Sequence, residues 1–438
     1  MPLPTTRLLS LPLESHLFKS GLTPAEMFQK IRKPQGSFYL SGGDQASPLN
    51  QKIVMGVGQV FACSYGEFKS WLQTWAGAAP FEYGFLVQLD YEAIYEMEPK
   101  LAQCKSDEPT IYGILPEVLI TYDLPRQTYT LIASKTQIAH IIHSLSPNSP
   151  TYPQSYPQLA LTNFQANSTK NDFINRVHKV QEYIAAGDIF QCNLSQGFSG
   201  QVGDSNADYF KIFQDLQAIN PSPFGAYAAF ENRVVVSNSP EKLFSVDANR
   251  NIQTRPIAGT YPIAQQASEL LLNPKEQAEH LMLIDLERND LGRVCETGTV
   301  VVDELMTTET YSHVRHIVSN VCGRLKNSVT AAQILEALFP GGTITGVPKI
   351  RCMEIIHELE QVSRKAYTGS LGMIYADGRM DLNILIRSIL VEGKNLTCRF
   401  GAGIVADSNP LLEYEETLHK ARAIFEVLGV NLANMDSQ

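Results

Sequence analysis

The chain has 438 residues, 44% of them hydrophobic, enough to bury one large core or two smaller ones. Thirty-five basic side chains against 45 acidic ones leave a formal charge of −10 with no Lys/Arg-rich run, which argues against nucleic acid as a partner. No stretch reaches the ~18–20 apolar residues of a membrane span, and the seven scattered cysteines form no CxxC pair, so neither a bilayer protein nor a disulfide or zinc framework is expected.

The opening MPLPTTRLLSLPLESHLF has one Arg and then a Glu, without the small-residue cleavage pattern of a secretory signal, so a cytoplasmic location is expected. Residues 1–150 hold strand-like pieces such as GSFYLSGG and TYTLIAS between short polar segments, and no cluster of reactive groups. SPNSPTYPQSYPQ, Ser146 to Gln158, is too rich in Pro and Ser for a helix or a central strand. It reads as a surface connection to a second region, 160–432. There DFINRVHKVQEYIAAGD sets Phe173, Val177, Val180 and Ile184 on one helical stripe, stopped at Gly187. IFQCNLSQGF, AYAAFENRVVVSNS, KLFSVDAN, GSLGMIYADGRMDLNILIRSILVEG and LTCRFGAGIVAD read as strands and hairpins. Amphipathic helices fall around 274–292, 331–338, 348–362 and 413–428. Meandering antiparallel strands with helices outside make an α+β fold. No internal repeat and no GxGxxG between strand and helix supports a Rossmann alternative.

Six segments can carry chemistry. PGGTITGVPK, Pro340 to Lys349, is a glycine-rich turn running into a helix, whose free amides and dipole favour an anion. Val347 and Pro348 stand where a P-loop needs Lys and Ser/Thr, so a carboxylate suits the turn better than a triphosphate. An ordinary loop before a Pro-started helix is the plain alternative. Glu276 and Glu279 lie one helical turn apart, as do Glu413 and Glu416, so each pair aims two carboxylates in one direction. Such pairs are commonly solvated surface; if both border one cavity, they make a hard-oxygen site for Mg2+. Glu241, after a strand and beside Pro240, can have its pKa raised by apolar neighbours and act as a general acid, or be a turn glutamate. His313 and His316 sit in an alternating segment, where a core histidine and a catalytic one are both open. Arg399, followed by Gly401 and Gly403, places an arginine fork beside open backbone, which suits a carboxylate.

From about residue 172 to 428 the chain resembles the chorismate-utilising enzymes, which include anthranilate, aminodeoxychorismate, isochorismate and salicylate synthases. The matching stretches run in the family's order: GDIFQCNLSQ, SNSPEKLF, TRPIAGT, KEQAEHLMLIDLERNDLGRV, SHVRHIVS, FPGGTITGVPKIRCMEII, GRMDLNILIRS and GAGIVADSNPLLEYEETLHKA. The resemblance implies two packed antiparallel sheets flanked by helices, with residues 1–150 and 160–432 in one compact body. It implies Mg2+ on Glu279 and Glu416, with Glu276 and Glu413 acting through waters, binding the ring carboxylate and stabilising charge as the ring hydroxyl leaves. Glu241 resembles the acid that protonates that hydroxyl, and His316 matches a histidine near the reacting ring. Arg399, the amides of Gly401 and Gly403, and Lys420 resemble the holders of the enolpyruvyl carboxylate. Thr345 and Gly346 resemble a wall that grips the substrate, and Ala258, Gly259 and Thr260 fall in the PIAGT-type motif.

Family members that add water resemble one another in carrying Lys where this chain has Gln191. An amide cannot take a proton from water, whereas ammonia needs no base, so amination is expected. QCNLSQ, with Asn193, and PGGTITG resemble aminodeoxychorismate synthase component I, on the way to p-aminobenzoate and folate. Ala258, where many of those enzymes have Lys, is similar to anthranilate synthase, which is the alternative product class. A non-catalytic chorismate-binding regulator is a second alternative, disfavoured by the intact Glu241, Glu279, Glu416 and Arg399. The chain has no GxCxGxQ turn of a glutamine amidotransferase, so ammonia is expected from solution or from a separate glutaminase subunit. NPSPF and LPLES resemble segments with which anthranilate synthases bind tryptophan, which implies an effector site.

Overall fold

The computed structural model describes residues 3–4, 12–42, 51–75, 82–105, 107–145, 159–203, 207–262, 274–310 and 314–431, excepting the side chains of 258–262, 274–276, 310 and 314–316. The connection expected at 146–158 lies outside the described residues.

The first portion contributes strands β1 (Leu13–Phe18), β2 (Ser37–Leu40), β3 (Lys52–Cys63), β4 (Gly84–Leu89), β5 (Ile111–Asp123) and β6 (Thr128–Ser134). Next come β7 (Leu161–Ala166), β8 (Gln191–Val202), β9 (Phe224–Ala229), β10 (Arg233–Ser239), β11 (Lys242–Val246), β12 (Asn251–Thr254) and β13 (Ile257–Pro262). The last are β14 (Val301–Thr310), β15 (Val314–Arg324), β16 (Gly346–Val347), β17 (Ser370–Tyr375), β18 (Met380–Ile384), β19 (Ser388–Glu392) and β20 (Asn395–Ile404). Helices α1 (Pro24–Ile31), α2 (Tyr65–Trp75), α3 (Ile94–Met97), α4 (Lys135–Ser144) and α5 (Lys170–Ala185) alternate irregularly with the earlier strands. They are followed by α6 (Tyr209–Ile219), α7 (Pro274–Val294), α8 (Ala331–Leu338), α9 (Lys349–Glu360) and α10 (Pro410–Val427). None of the described helices is long and apolar enough to cross a membrane.

Every ladder is antiparallel, and the strands form two layers. One runs β7–β8–β20–β19–β10–β9–β2–β3–β5–β6–β1. The other runs β5–β4–β17–β18–β11–β12–β15, with β13 and β14 also on β15. The two expected sheets are therefore continuous. β5 joins them: its first residues carry β4 on one edge and its last carry β6, with a register shift against β3 between Val57 and Gly58. A bulge of this kind bends a strand, and Pro116, which has no N–H to donate, stands at it. Strands of the first portion pair directly with strands of the second, β2 with β9 and β4 with β17.

Burial follows the two-residue period of a strand. Phe38, Val54, Val235 and Leu390 point into the core between the layers, whereas their neighbours Tyr39, Met55, Val236 and Ile389 point into a second core. That second core is closed by helices: Met27 and Phe28 of α1, Phe173, Val177 and Val180 of α5, Phe210 of α6 and Phe425 of α10 all enter it. With both faces covered, strands such as β10 are apolar without alternation. The α5 stripe is the expected one, started by a Thr169–Asp172 capping box.

Candidate active site

β8 positions the site by alternation. Cys192 and Leu194 enter the helix-side core. Gln191, Asn193 and Ser195 lie on the opposite face, and the first two line a cleft of about 870 Å³. One edge of β8 is paired with β20 along ten residues, from Asn395↔Gln201 to Ile404↔Cys192. The other edge receives the PGGTITG loop: β16 pairs Gly346 with Cys192 and Val347 with Gln191, and Asn193 N donates to Thr345 O at 2.8 Å. The glycine-rich loop is thus a wall beside the cleft, and Thr343 and Ile344 are its cleft-lining residues. Thr345 faces its own loop, its hydroxyl donating to Gly341 O at 2.8 Å. Gly346 makes the ladder contact and is not among the lining residues.

Glu241 lines the cleft at the start of the β10–β11 corner and is 7% exposed. Burial pushes its carboxyl up to about 7, against the Thr343 hydroxyl bonded to it and the positive charges of Arg387 and Lys420. It is a carboxyl that can hold a proton near neutrality.

Glu279 of α7 and Glu413 and Glu416 of α10 line this same cleft, although more than a hundred residues separate the helices in sequence. Glu413 accepts from Ser408 Oγ at 2.7 Å, and Glu416 pairs with Lys420 at 2.6 Å. Among the described residues no three such side chains are gathered into a ready cage. The donor chemistry is nonetheless all carboxylate, and an ion that retains several waters needs few protein ligands, so the set fits Mg2+. The side chain of Glu276 lies outside the described residues.

Arg387, Arg399 and the exposed Arg422 line the cleft, and the first two differ in what they touch. Arg399 lines it, but Nη2 donates to Ser195 Oγ and to Glu360 Oε2, each at 2.9 Å. Glu360 in turn accepts from Arg364 at 2.7 and 3.0 Å and from Ser195 N and Oγ, both at 2.8 Å. Burial alone would raise the Glu360 carboxyl; the Arg364 and Arg399 charges hold it down at about 2. The fork expected to await a substrate carboxylate is therefore engaged by the protein itself. Of the two that are not exposed, Arg387 has no hydrogen-bond or ion-pair partner among the described residues, and burial lowers its pKa. Sequence reasoning missed it because it ends an apolar strand run, LNILIR, with no flanking glycine. An arginine closing an otherwise buried run was the available signal. Tyr367, buried in the cleft wall near Gly401, was missed as well.

Lys420 lines the cleft and donates from Nζ to Gly401 O at 2.9 Å. Gly401 and Gly403 line it too, leaving room for side chains of β8: a Cβ at 403 would meet Gln191 Nε2 at 2.5 Å. Ile257 of β13 reaches the cleft, while Ala258 and Thr260 pair with Ile317 and His316 of β15. The side chains of Ala258, Thr260 and His316, and all of His313, lie outside the described residues, as does any side-chain relation at Gly259. Of the two segments expected at an effector site, NPSPF leads into β9 and its Asn220 lines the cleft, while residues 13–15 are in β1. In sheet order β2, β3, β5 and β6 stand between β9 and β1.

Compared with known proteins, residues 27–426 match the family described as chorismate binding enzyme. The chain belongs to this family. It is 44% identical over 367 residues to an "anthranilate synthase component I-like protein" of Synechocystis, covering 80% of this chain and 73% of the relative. It is 38% identical over 395 residues to the aminodeoxychorismate synthase component 1 of Bacillus subtilis, covering 83% of this chain and 82% of that one. Two relatives named anthranilate synthase component 1, of Synechocystis and Aquifex aeolicus, are matched over 55% of their own length. The crystal structure of anthranilate synthase component I from Streptococcus pneumoniae superposes with a TM-score of 0.73 at 28% identity, over 96% of this chain and 93% of that one. This chorismate-binding enzyme thus shares the fold of anthranilate synthase component I, with a large curled antiparallel sheet and flanking helices.

Proposed function

We propose that the enzyme aminates chorismate as component I of an aminodeoxychorismate synthase, giving 4-amino-4-deoxychorismate on the way to p-aminobenzoate and folate. The observation that carries this reading is the cleft itself: a proton-holding Glu241, an unpartnered Arg387 and carboxylates from two helices face one space, with an amide and no lysine at Gln191. Arg387 and Lys420 bind the carboxylates of the substrate. Glu241 gives its proton to the departing ring hydroxyl, which leaves as water; ammonia forms the new C–N bond and sheds a proton. Proton donation of this kind contributes about 10²–10⁴-fold. Glu279 and Glu416 would hold Mg2+, with Glu413 and Glu276 through waters, and the ion when bound supplies charge stabilisation at the ring carboxylate.

Ammonia comes from solution or from a separate glutaminase subunit, since none of the seven cysteines sits in an amidotransferase nucleophile turn. Exposed Phe190, Leu411 and Leu412 neighbour the cleft-lining Gln191 and Glu413 in sequence, apolar side chains of the kind such a partner would cover.

Anthranilate synthesis is the second reading, favoured by Ala258 and by the name of the 44%-identical relative. Incubating the pure protein with chorismate, Mg2+ and ammonium separates the two. An amino-chorismate that an added lyase converts to p-aminobenzoate is expected; fluorescent anthranilate with pyruvate would overturn the proposal.

A further inference from the structure

We propose that two buried hydroxyls, those of Ser408 and Thr417, are positioning groups for the carboxylates of α10 and so set the affinity for the divalent ion. The proposal rests on the Mg2+ reading above and carries it to residues behind the cleft wall. Ser408 is 5% exposed and Thr417 fully buried, and neither is among the residues that line the cleft.

Ser408 lies in the turn between β20 and α10. Its Oγ accepts from Val405 N at 3.1 Å, and its own N donates to Val405 O at 3.1 Å, which closes the turn. A hydroxyl has one hydrogen, and Ser408 gives it to Glu413 Oε1 at 2.7 Å. The turn is held from α5, where Gln181 Nε2 donates to Ser408 O at 2.8 Å and to Ala406 O at 3.3 Å. The Glu413 carboxyl is therefore aimed from outside its own helix.

Thr417 follows Glu416 directly. Its hydroxyl donates to Tyr414 O at 2.7 Å, so its oxygen accepts, and the donor is Gln196 Nε2 of β8. Gln196 stands on the helix-side face of β8, in the row of Leu194 and Phe198. The bond ties the turn that carries Glu413 and Glu416 to the strand whose opposite face lines the cleft. Leu418, Ala421 and Phe425 also pack α10 into the second core, but apolar packing is non-directional. Hydrogen bonds fix an angle as well as a distance. Two of them, one at each end of this turn, hold the rotation at which both carboxylates face the space shared with Glu279.

The test reads ion binding apart from turnover. The full chain is titrated with Mn2+ in the presence of chorismate and without a nitrogen source, and free Mn2+ is followed by electron paramagnetic resonance. Ser408→Ala and Thr417→Val should each weaken Mn2+ binding about 10–100-fold, the usual cost of losing a group that orients a metal ligand. Ser408→Thr and Thr417→Ser keep the hydroxyls and should bind close to wild type. With ammonium added, excess Mg2+ should restore most of the kcat of Ser408→Ala, because the carboxylate remains and only its aim is lost. Folded Ser408→Ala and Thr417→Val proteins that hold Mn2+ as tightly as wild type would overturn the proposal, as would a kcat loss that no Mg2+ concentration repairs. Should these variants fail to fold, Gln181→Met loosens the same turn from α5 and should also weaken Mn2+ binding; wild-type affinity in it would overturn the proposal. A wild-type protein that binds no Mn2+ and keeps its activity after chelation overturns the Mg2+ reading itself.

Discussion

Thr343 Oγ1 donates a 2.7 Å hydrogen bond to Glu241 Oε1. This one bond couples the glycine-rich loop to the buried carboxyl 102 residues earlier and pulls against the burial that raises it. As an acid, Glu241 acts when protonated, so kcat/KM should fall as pH rises through about 7. Thr343→Val removes a bond to the charged form, so that falling limb should move to higher pH. A limb that stays in place would show that another group titrates it. Glu241→Gln should keep chorismate affinity while losing about 10²–10⁴ in kcat.

The same carboxyl sets a stability trend. Its folded pKa is raised from 4.5 to about 7, so the folded chain holds the proton more tightly than the unfolded one. That contribution is complete below about 4.5 and is lost as pH climbs to about 7. Glu287, also buried and pushed up to about 7 by burial and by Asp290 nearby, follows the same sign. Glu241→Gln and Glu287→Gln should therefore melt higher than wild type at pH 8, by on the order of 1–4 °C, and show little difference at pH 5. A lower melting point at pH 8 for both would contradict the sign.

Carboxylates on α7 and α10 line one cleft only because the fold brings the two helices to it. Glu279→Gln and Glu416→Gln should each raise the Mg2+ concentration for half-maximal activity at least tenfold, and chelation should abolish turnover of the wild type. Glu416→Gln also releases Lys420 from its 2.6 Å pair, so its chorismate KM should change as well, whereas that of Glu279→Gln should change less.

Local pattern made much of this legible. α5 and α7–α10 fall within three residues of their expected spans because each carries an apolar stripe or a helix-starting signal. The i,i+3 acidic pairs were visible for the same reason. The joining of the layers at β5 was not, because strands buried on both faces lose the alternation that reports a single exposed side. Loop orientation was equally hidden: nothing in PGGTITG says that Thr343 faces the cleft and Thr345 its own loop. The first portion, which offered no reactive cluster, turns out to brace the site. Glu92 accepts from the backbone of Arg364 and Lys365 at 2.6 and 3.0 Å, fixing the turn that leads to Tyr367.

Which arginine is available was the other hidden point, because partners decide it and the partners are remote: Arg399 is bound by Ser195, 204 residues away, and by Glu360, 39 away. The two should separate cleanly by experiment. Arg387→Met removes a desolvated guanidinium that makes no hydrogen bond or ion pair among the described residues and acts on Glu241 through its charge alone, so the melting point should stay near wild type. Losing a charge-assisted bond to substrate, about 1.5–3 kcal/mol, should weaken chorismate binding by roughly 10–150-fold. Arg399→Met does the opposite. It leaves Glu360 buried with Arg364 as its remaining hydrogen-bonded cation and strips Ser195 of a partner; breaking a buried pair costs about 3–5 kcal/mol, read as a lower denaturation midpoint. Should Arg399→Met weaken chorismate binding at unchanged stability while Arg387→Met is silent, the carboxylate belongs to Arg399, and the Glu360 network must open to release it.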